Sequence, residues 1–220
     1  MPTSTPSAAD WITLAVNFVT MVAAVGAFFV AKAALGTWRQ QIRGEATFET
    51  ARKMVVSANK LAMYFHAARS PFTDASEFPS DYPTPGNRTA EDEARAWGHV
   101  FDNRWKRVYR SYTRLVALLP ELRAFFPRDV SDAAESLLRS TRELQFHMQE
   151  FVYLTRQGDF GEGPAATRLR EQLANAREAV FAPEPRGEIN KQFPNHELTD
   201  KFVKAHSELI TLLRKALHIE

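Results

Sequence analysis

The chain contains no cysteine, which excludes disulfides and thiolate metal sites and suits a reducing compartment. It also lacks the motifs that announce chemistry. There is no HExxH, no GxxxxGK[ST], no GxSxG elbow and no GxGxxG following a strand-like run. Six histidines are present, His66, His99, His147, His196, His206 and His218, and no two stand three or four residues apart. That removes the usual spacing of a helical metal site. Glu143 and His147, one helical turn apart, read as a surface ion pair. The glycine-rich GDFGEG, Gly158 to Gly163, has no lysine and no preceding strand, so it reads as a turn. The expectation is a protein that is not an enzyme, with no catalytic residue, metal or cofactor.

Excess charge is scarce as well. Lys and Arg total 28 against 26 Asp and Glu, a net +2 that gives no global attraction to nucleic acid. Period-2 alternation is missing throughout, and the expected class is all-α.

Long apolar runs are limited to one, Trp11 to Ala31, WITLAVNFVTMVAAVGAFFVA, which carries no charge. A helix of about 20 residues covers roughly 30 Å, the thickness of a hydrocarbon core. The run is too long for a signal-peptide core, and residues 1–10 hold no Lys or Arg. Lys32, Arg39, Arg43, Arg52 and Lys53 follow it. Positive charge collects on the cytoplasmic side, so the N-terminus is expected outside and the C-terminal part in the cytoplasm.

Within the span, steps of three and four place Asp10, Thr13, Asn17, Thr20, Ala24, Ala27, Ala31 and Ala34 on one helical face. All are polar or small. Trp11, Leu14, Phe18, Val22, Val25 and Phe29 cover the rest and suit lipid. Small residues let helices approach closely in a bilayer, and Asn and Thr hydrogen-bond between helices. Self-association follows, as plain packing or, in a tetramer or larger ring, around a water path with Asp10 at its mouth. Rings of acidic side chains favour cations.

The expected layout is a disordered external tail over 1–9, a transmembrane helix over 10–35 and its juxtamembrane extension over 36–70. A Pro-rich loop over 71–89 leads to a cytosolic α-helical domain, 90–220, folded as a bundle. Gly36 and Gly44 weaken the long helix without ending it, and Ser70-Pro71 stops it. Its apolar positions Ile42, Phe48, Ala51, Val55, Ala58, Ala62 and Phe65 mostly recur at three or four, a helical pattern. Thr89 to Asp92 forms a capping box for a helix ending before Pro120, and a short turn runs to Pro127. Asp129 or Ser131 caps the next helix, which runs to about Gln157 through Leu137, Leu138, Leu144, Phe146, Met148, Phe151 and Leu154. Pro164 opens another helix to about Phe181, and Asn195 caps the last.

The motif W-R-x-Q-I-R-G, Trp38 to Gly44, with F-E-x-A-R at Phe48 to Arg52 and S-P-F at Ser70 to Phe72, resembles a family of uncharacterised bacterial single-span membrane proteins. The resemblance implies a bacterial inner-membrane location and no chemistry. In layout the chain is similar to pore-forming membrane effectors of anti-phage defence systems, which join an assembling membrane segment to a cytosolic ligand-sensing domain.

The candidate ligand site is the acid-free stretch RWKRVYRSYTR, with Arg104, Lys106, Arg107, Arg110 and Arg114. Three readings stand: a solvated helix face, a site for an anion such as a nucleotide or short nucleic acid, and a contact with lipid headgroups. Tyr and Trp neighbours could stack on bases, although their spacing puts them on the core stripe. Other expected partners are further copies of the chain, the lipid bilayer and a cytosolic protein. The leading expectation is a cation-conducting pore gated by the cytosolic domain. The alternative is a non-conducting scaffold that recruits a cytosolic partner.

Overall fold

The computed structural model describes residues 8–181 and 196–217. Every regular element among the described residues is helical: α1 (Ala8–Ala68), a 3₁₀ turn (Ala75–Glu77), α2 (Ala90–Phe125), α3 (Arg128–Gln157), α4 (Pro164–Val180) and α5 (Glu197–Ala216). The chain divides into two compact units, Met1–Phe48 and Glu49–Glu220.

In the first unit α1 stands alone. It passes through Gly26, Gly36 and Gly44, where an added Cβ would meet nothing within 4 Å. One helix among the described residues is long and apolar enough to cross a membrane, and none of its most apolar 18-residue window is buried. Ile42 and Phe48 are about half exposed, at 48% and 51%. The apolar stripe finds a partner only from Ala51 onward, where the second unit supplies one.

The second unit packs helices around one core. Met54, Ala58, Leu61 and Phe65 of α1 are buried. Phe65 stacks on Phe202 of α5 with ring centroids 3.7 Å apart. Burying one such side chain contributes about 1.5–3 kcal/mol. The α1–α2 hairpin is antiparallel: Thr50 donates to Glu121 at 3.2 Å near one end, and Arg104 reaches Ser70 at the other. Arg123–Glu135 and Arg156–Glu91 bracket the α2–α3 pair in the same sense. Trp97 and Phe101 of α2 meet Phe151 of α3 and Phe181 beyond α4 in mostly edge-on contacts of 5.0–5.9 Å.

The ends follow local chemistry. Thr89 Oγ1 accepts from Asp92 N–H at 3.2 Å, and Asp92 accepts from Thr89 N–H at 3.1 Å, the expected capping box. Unlike the expectation, α2 continues through Pro120 to Phe125. Pro120 is exposed, so the hydrogen bond it cannot make is lost on the side where water replaces it. Neither Asp129 nor Ser131 caps α3: Pro127 holds that position without a side-chain bond, and Ser131 donates back to Arg128 O. Gly158 ends α3 at φ +68°, where a Cβ would also lie 2.9 Å from Ala90 Cβ, so only glycine fits. Asn195 lies outside the described residues; His196 caps α5, its Nδ1 accepting from Leu198 N–H at 3.1 Å.

The Pro-rich loop is pinned down. Phe78 stacks on Tyr82 and packs edge-on against Trp97, Arg88 lies over the Tyr82 ring, and Asp81 takes Arg95 at 2.8 Å.

Candidate functional site

Helix α1 presents Asn17, Thr20, Ala24, Ala27, Ala31 and Ala34 as exposed positions along an apolar rod. The side chains of Asp10 and Thr13 lie outside the described residues. The exposed apolar company includes Phe18, Val22, Val25 and Phe29.

The basic stretch of α2 splits in two. Arg104, a ligand candidate by sequence, is held as a structural clamp: its side chain is only 9% exposed, and with Glu77 and Arg107 it lines one cleft. Nε and Nη2 donate to the Glu77 carboxylate at 2.6 and 3.0 Å, Nη1 to Ser70 O at 2.7 Å, and Nη2 to Phe72 O at 2.9 Å. It also reaches Ala68 O at 3.4 Å. A cation placed on carbonyls that α1 leaves unpaired at its C-terminus satisfies them and complements the helix dipole. The Arg104 hydrogen bond holds the Glu77 carboxyl below its ordinary range.

The other four, Lys106, Arg107, Arg110 and Arg114, are exposed. Among the described residues none has a carboxylate partner; Lys106 donates to Asn103 at 2.9 Å. Arg107 lines a cleft of about 360 Å³ with Tyr64, Ser70, Phe72 and Asn103. A helix face carrying unpaired cations can take an anion without first breaking an internal ion pair.

The aromatic residues do not all follow the core stripe. Val108, Tyr112 and Leu115 are buried, but Tyr109 is 54% exposed beside Lys106 and Arg110. On α3, Phe146 is 59% exposed and Tyr153 62%. Their seven-residue separation puts both on one face, a signal the sequence carried. Glu143 and His147 do not pair. Glu143 accepts from Lys201 at 3.0 Å, and the nearly buried His147 meets Glu150 at 3.2 Å.

No family model, curated protein or solved structure matches the chain. Function is therefore argued from its own residues. Among the described residues no group of three or more His, Cys, Asp or Glu is placed to hold a metal ion.

One polar group had no sequence signal at all. Arg69, just past α1, is 1% exposed and has no carboxylate partner among the described residues. Nε donates to Ala179 O at 2.6 Å and Nη1 to Thr199 Oγ1 at 2.7 Å, while Nη2 finds no acceptor. Ala179 stands in the last turn of α4, whose carbonyl end is partly negative. Burial pushes Arg69 down to about 10, so it stays charged near neutral pH.

Proposed function

We propose that this chain is a homo-oligomeric membrane effector of the bacterial inner membrane, of the kind used in anti-phage defence. Its spans surround a cation path, and its cytosolic helical bundle gates that path on binding an anionic ligand. The observation that carries the reading is Asn17 standing exposed in the apolar run of α1, in line with Ala24, Ala27, Ala31 and Ala34. Polar side chains at membrane depth are costly unless they meet another helix or water. Four or more copies supply both. Single-pass topology with the N-terminus outside follows from the basic residues after Ala31. Helix α1 supplies an uninterrupted route from span to domain, and Lys106, Arg107, Arg110 and Arg114 are the exposed cations the ligand would meet.

Purified full-length protein should give discrete planar-bilayer currents and a tetramer or larger mass in detergent. Asn17→Leu should abolish the current while leaving the protein in the membrane, and Asp10→Asn should alter ion preference. Current that survives Asn17→Leu would refute this path. A silent dimer would favour the scaffold reading, to which the exposed aromatics Phe146 and Tyr153 lend support.

A further inference from the structure

Between α2 and α3 lies a groove of about 330 Å³ lined by Gly98, Asp102, Trp105, Gln145, Gln149 and Tyr153, among others. Its floor is Phe101, Met148 and Val152. That volume is in the range of small-molecule sites, which combine apolar walls with a few converging polar groups.

Three features make it more than a crease. First, Asp102, Gln145 and Gln149 make no side-chain hydrogen bond among the described residues. Together they offer donors and acceptors of the kind that read a base edge or sugar hydroxyls. Second, two aromatic side chains, Trp105 of α2 and the exposed Tyr153 of α3, line it from opposite helices. Third, Gly98 sits inside α2 with helical backbone, although an added Cβ there would meet only Val152 Cγ1 at 3.9 Å. The domain's own packing would accept alanine. Glycine in a helix interior is destabilising, so the missing Cβ serves the space in the groove. Along α2, Lys106 follows Trp105 in the chain and donates to Asn103 at 2.9 Å, and Arg110 stands one turn on; neither has a carboxylate partner among the described residues.

We infer that the α2–α3 groove binds a nucleoside phosphate. The base lies between Trp105 and Tyr153, Asp102 and the two glutamines address the base edge and sugar, and the phosphates meet Lys106 and Arg110. Base–aromatic stacking contributes binding without sequence preference, and the flanking cations add the phosphate attraction. The inference rests on reading the helical domain as a ligand sensor, and gives that sensor a ligand class and a site.

The test is calorimetric titration of full-length protein in nanodiscs with ATP, adenosine, pyrophosphate and a short single-stranded oligonucleotide. ATP should bind saturably. Tyr153→Ala and Gly98→Ala should each weaken it by about tenfold or more. Gly98→Ala should at the same time raise the melting midpoint by about 2–4 °C, separating a filled groove from a damaged fold. Lys106→Ala with Arg110→Ala should weaken ATP and leave adenosine unchanged. Binding of the oligonucleotide alone, lost in the same variants, would overturn it in favour of a groove that takes a strand. No saturable nucleotide binding, pyrophosphate binding as tightly as ATP, or ATP affinity unmoved by Gly98→Ala would overturn the proposal. Conductance reports separately: current without nucleotide binding would sink the groove and spare the pore, and nucleotide binding without current would do the reverse.

Discussion

Arg69 reaches from the end of α1 to Thr199 of α5, donating from Nη1 to Oγ1 at 2.7 Å with its guanidinium almost fully buried. The same group bonds Ala179 O, so one cation joins α1, α4 and α5. It lies 5.2 Å from the Phe65 ring centroid, and Phe65 itself stacks on Phe202. Burying a cation without a carboxylate is expensive, and one donor is left over.

Substitution at Arg69 should therefore order itself unusually. Arg69→Ala should cost about 2–4 kcal/mol, through the cavity and the orphaned acceptors. Arg69→Met keeps most of the volume and removes the desolvated charge, so it should be less damaging than Arg69→Lys, which retains the charge without the planar fork. Urea unfolding followed by helical circular dichroism gives the ranking. Lys outperforming Met would show that the charge itself is needed.

Arg104 and Glu77 form the clamp on the loop after α1. Arg104→Ala frees the carbonyls of Ala68, Ser70 and Phe72 and strips Glu77 of its partner. A loss of about 2–3 kcal/mol is expected, as for a charge-assisted contact that leaves part-buried acceptors unpaired. Amide exchange should accelerate first over residues 68–80. Uniform acceleration across α3 instead would mean that the clamp supports the whole core.

Acid should loosen the domain in two separate windows. His206 contacts Asn59 at 3.0 Å, and burial lowers its pKa below the ordinary 6.5. The unfolded chain takes up the proton first, so stability falls as pH drops from about 6.5 toward the depressed value. His196 behaves alike, lowered by burial and then by Arg69 and His147. Glu77 is lowered by Arg104, so its contribution is present above its unfolded value, about 4.3, and is lost as pH falls through the folded one. Urea midpoints across pH should show both. His206→Gln should flatten the upper window and leave the lower, and Glu77→Gln the reverse.

Pro120 is a point of stored cost. It removes one helical hydrogen bond within α2, on an exposed turn. Pro120→Ala should raise stability by about 1–3 kcal/mol, because alanine restores the missing donor without disturbing the buried Leu115 and Leu122. Calorimetric melting decides it. A lower melting point would show that the packing of those two leucines needs the proline.

The sequence by itself determined much that is local. Helical periodicity, the Thr89–Asp92 box, Pro164 at a helix start and the glycines after Gln157 all act through near neighbours, and the structure places those features where the spacing did. The apolar run of α1 is equally local, since length and composition make the helix apolar enough to cross a membrane. Only the tertiary structure decided which side of each helix is covered. Phe146 has the same spacing as a core residue and is exposed, because α3 meets its neighbours elsewhere. Arg104 and Arg107 lie in one basic run, yet Arg104 is held against carbonyls brought from 32–36 residues away and Arg107 is not. Arg69 is the extreme case. Its partners, Ala179 and Thr199, stand 110 and 130 residues distant, and no local pattern can mark a cation that only folding encloses. Burial depends on which surfaces meet, and that is a property of the assembled core.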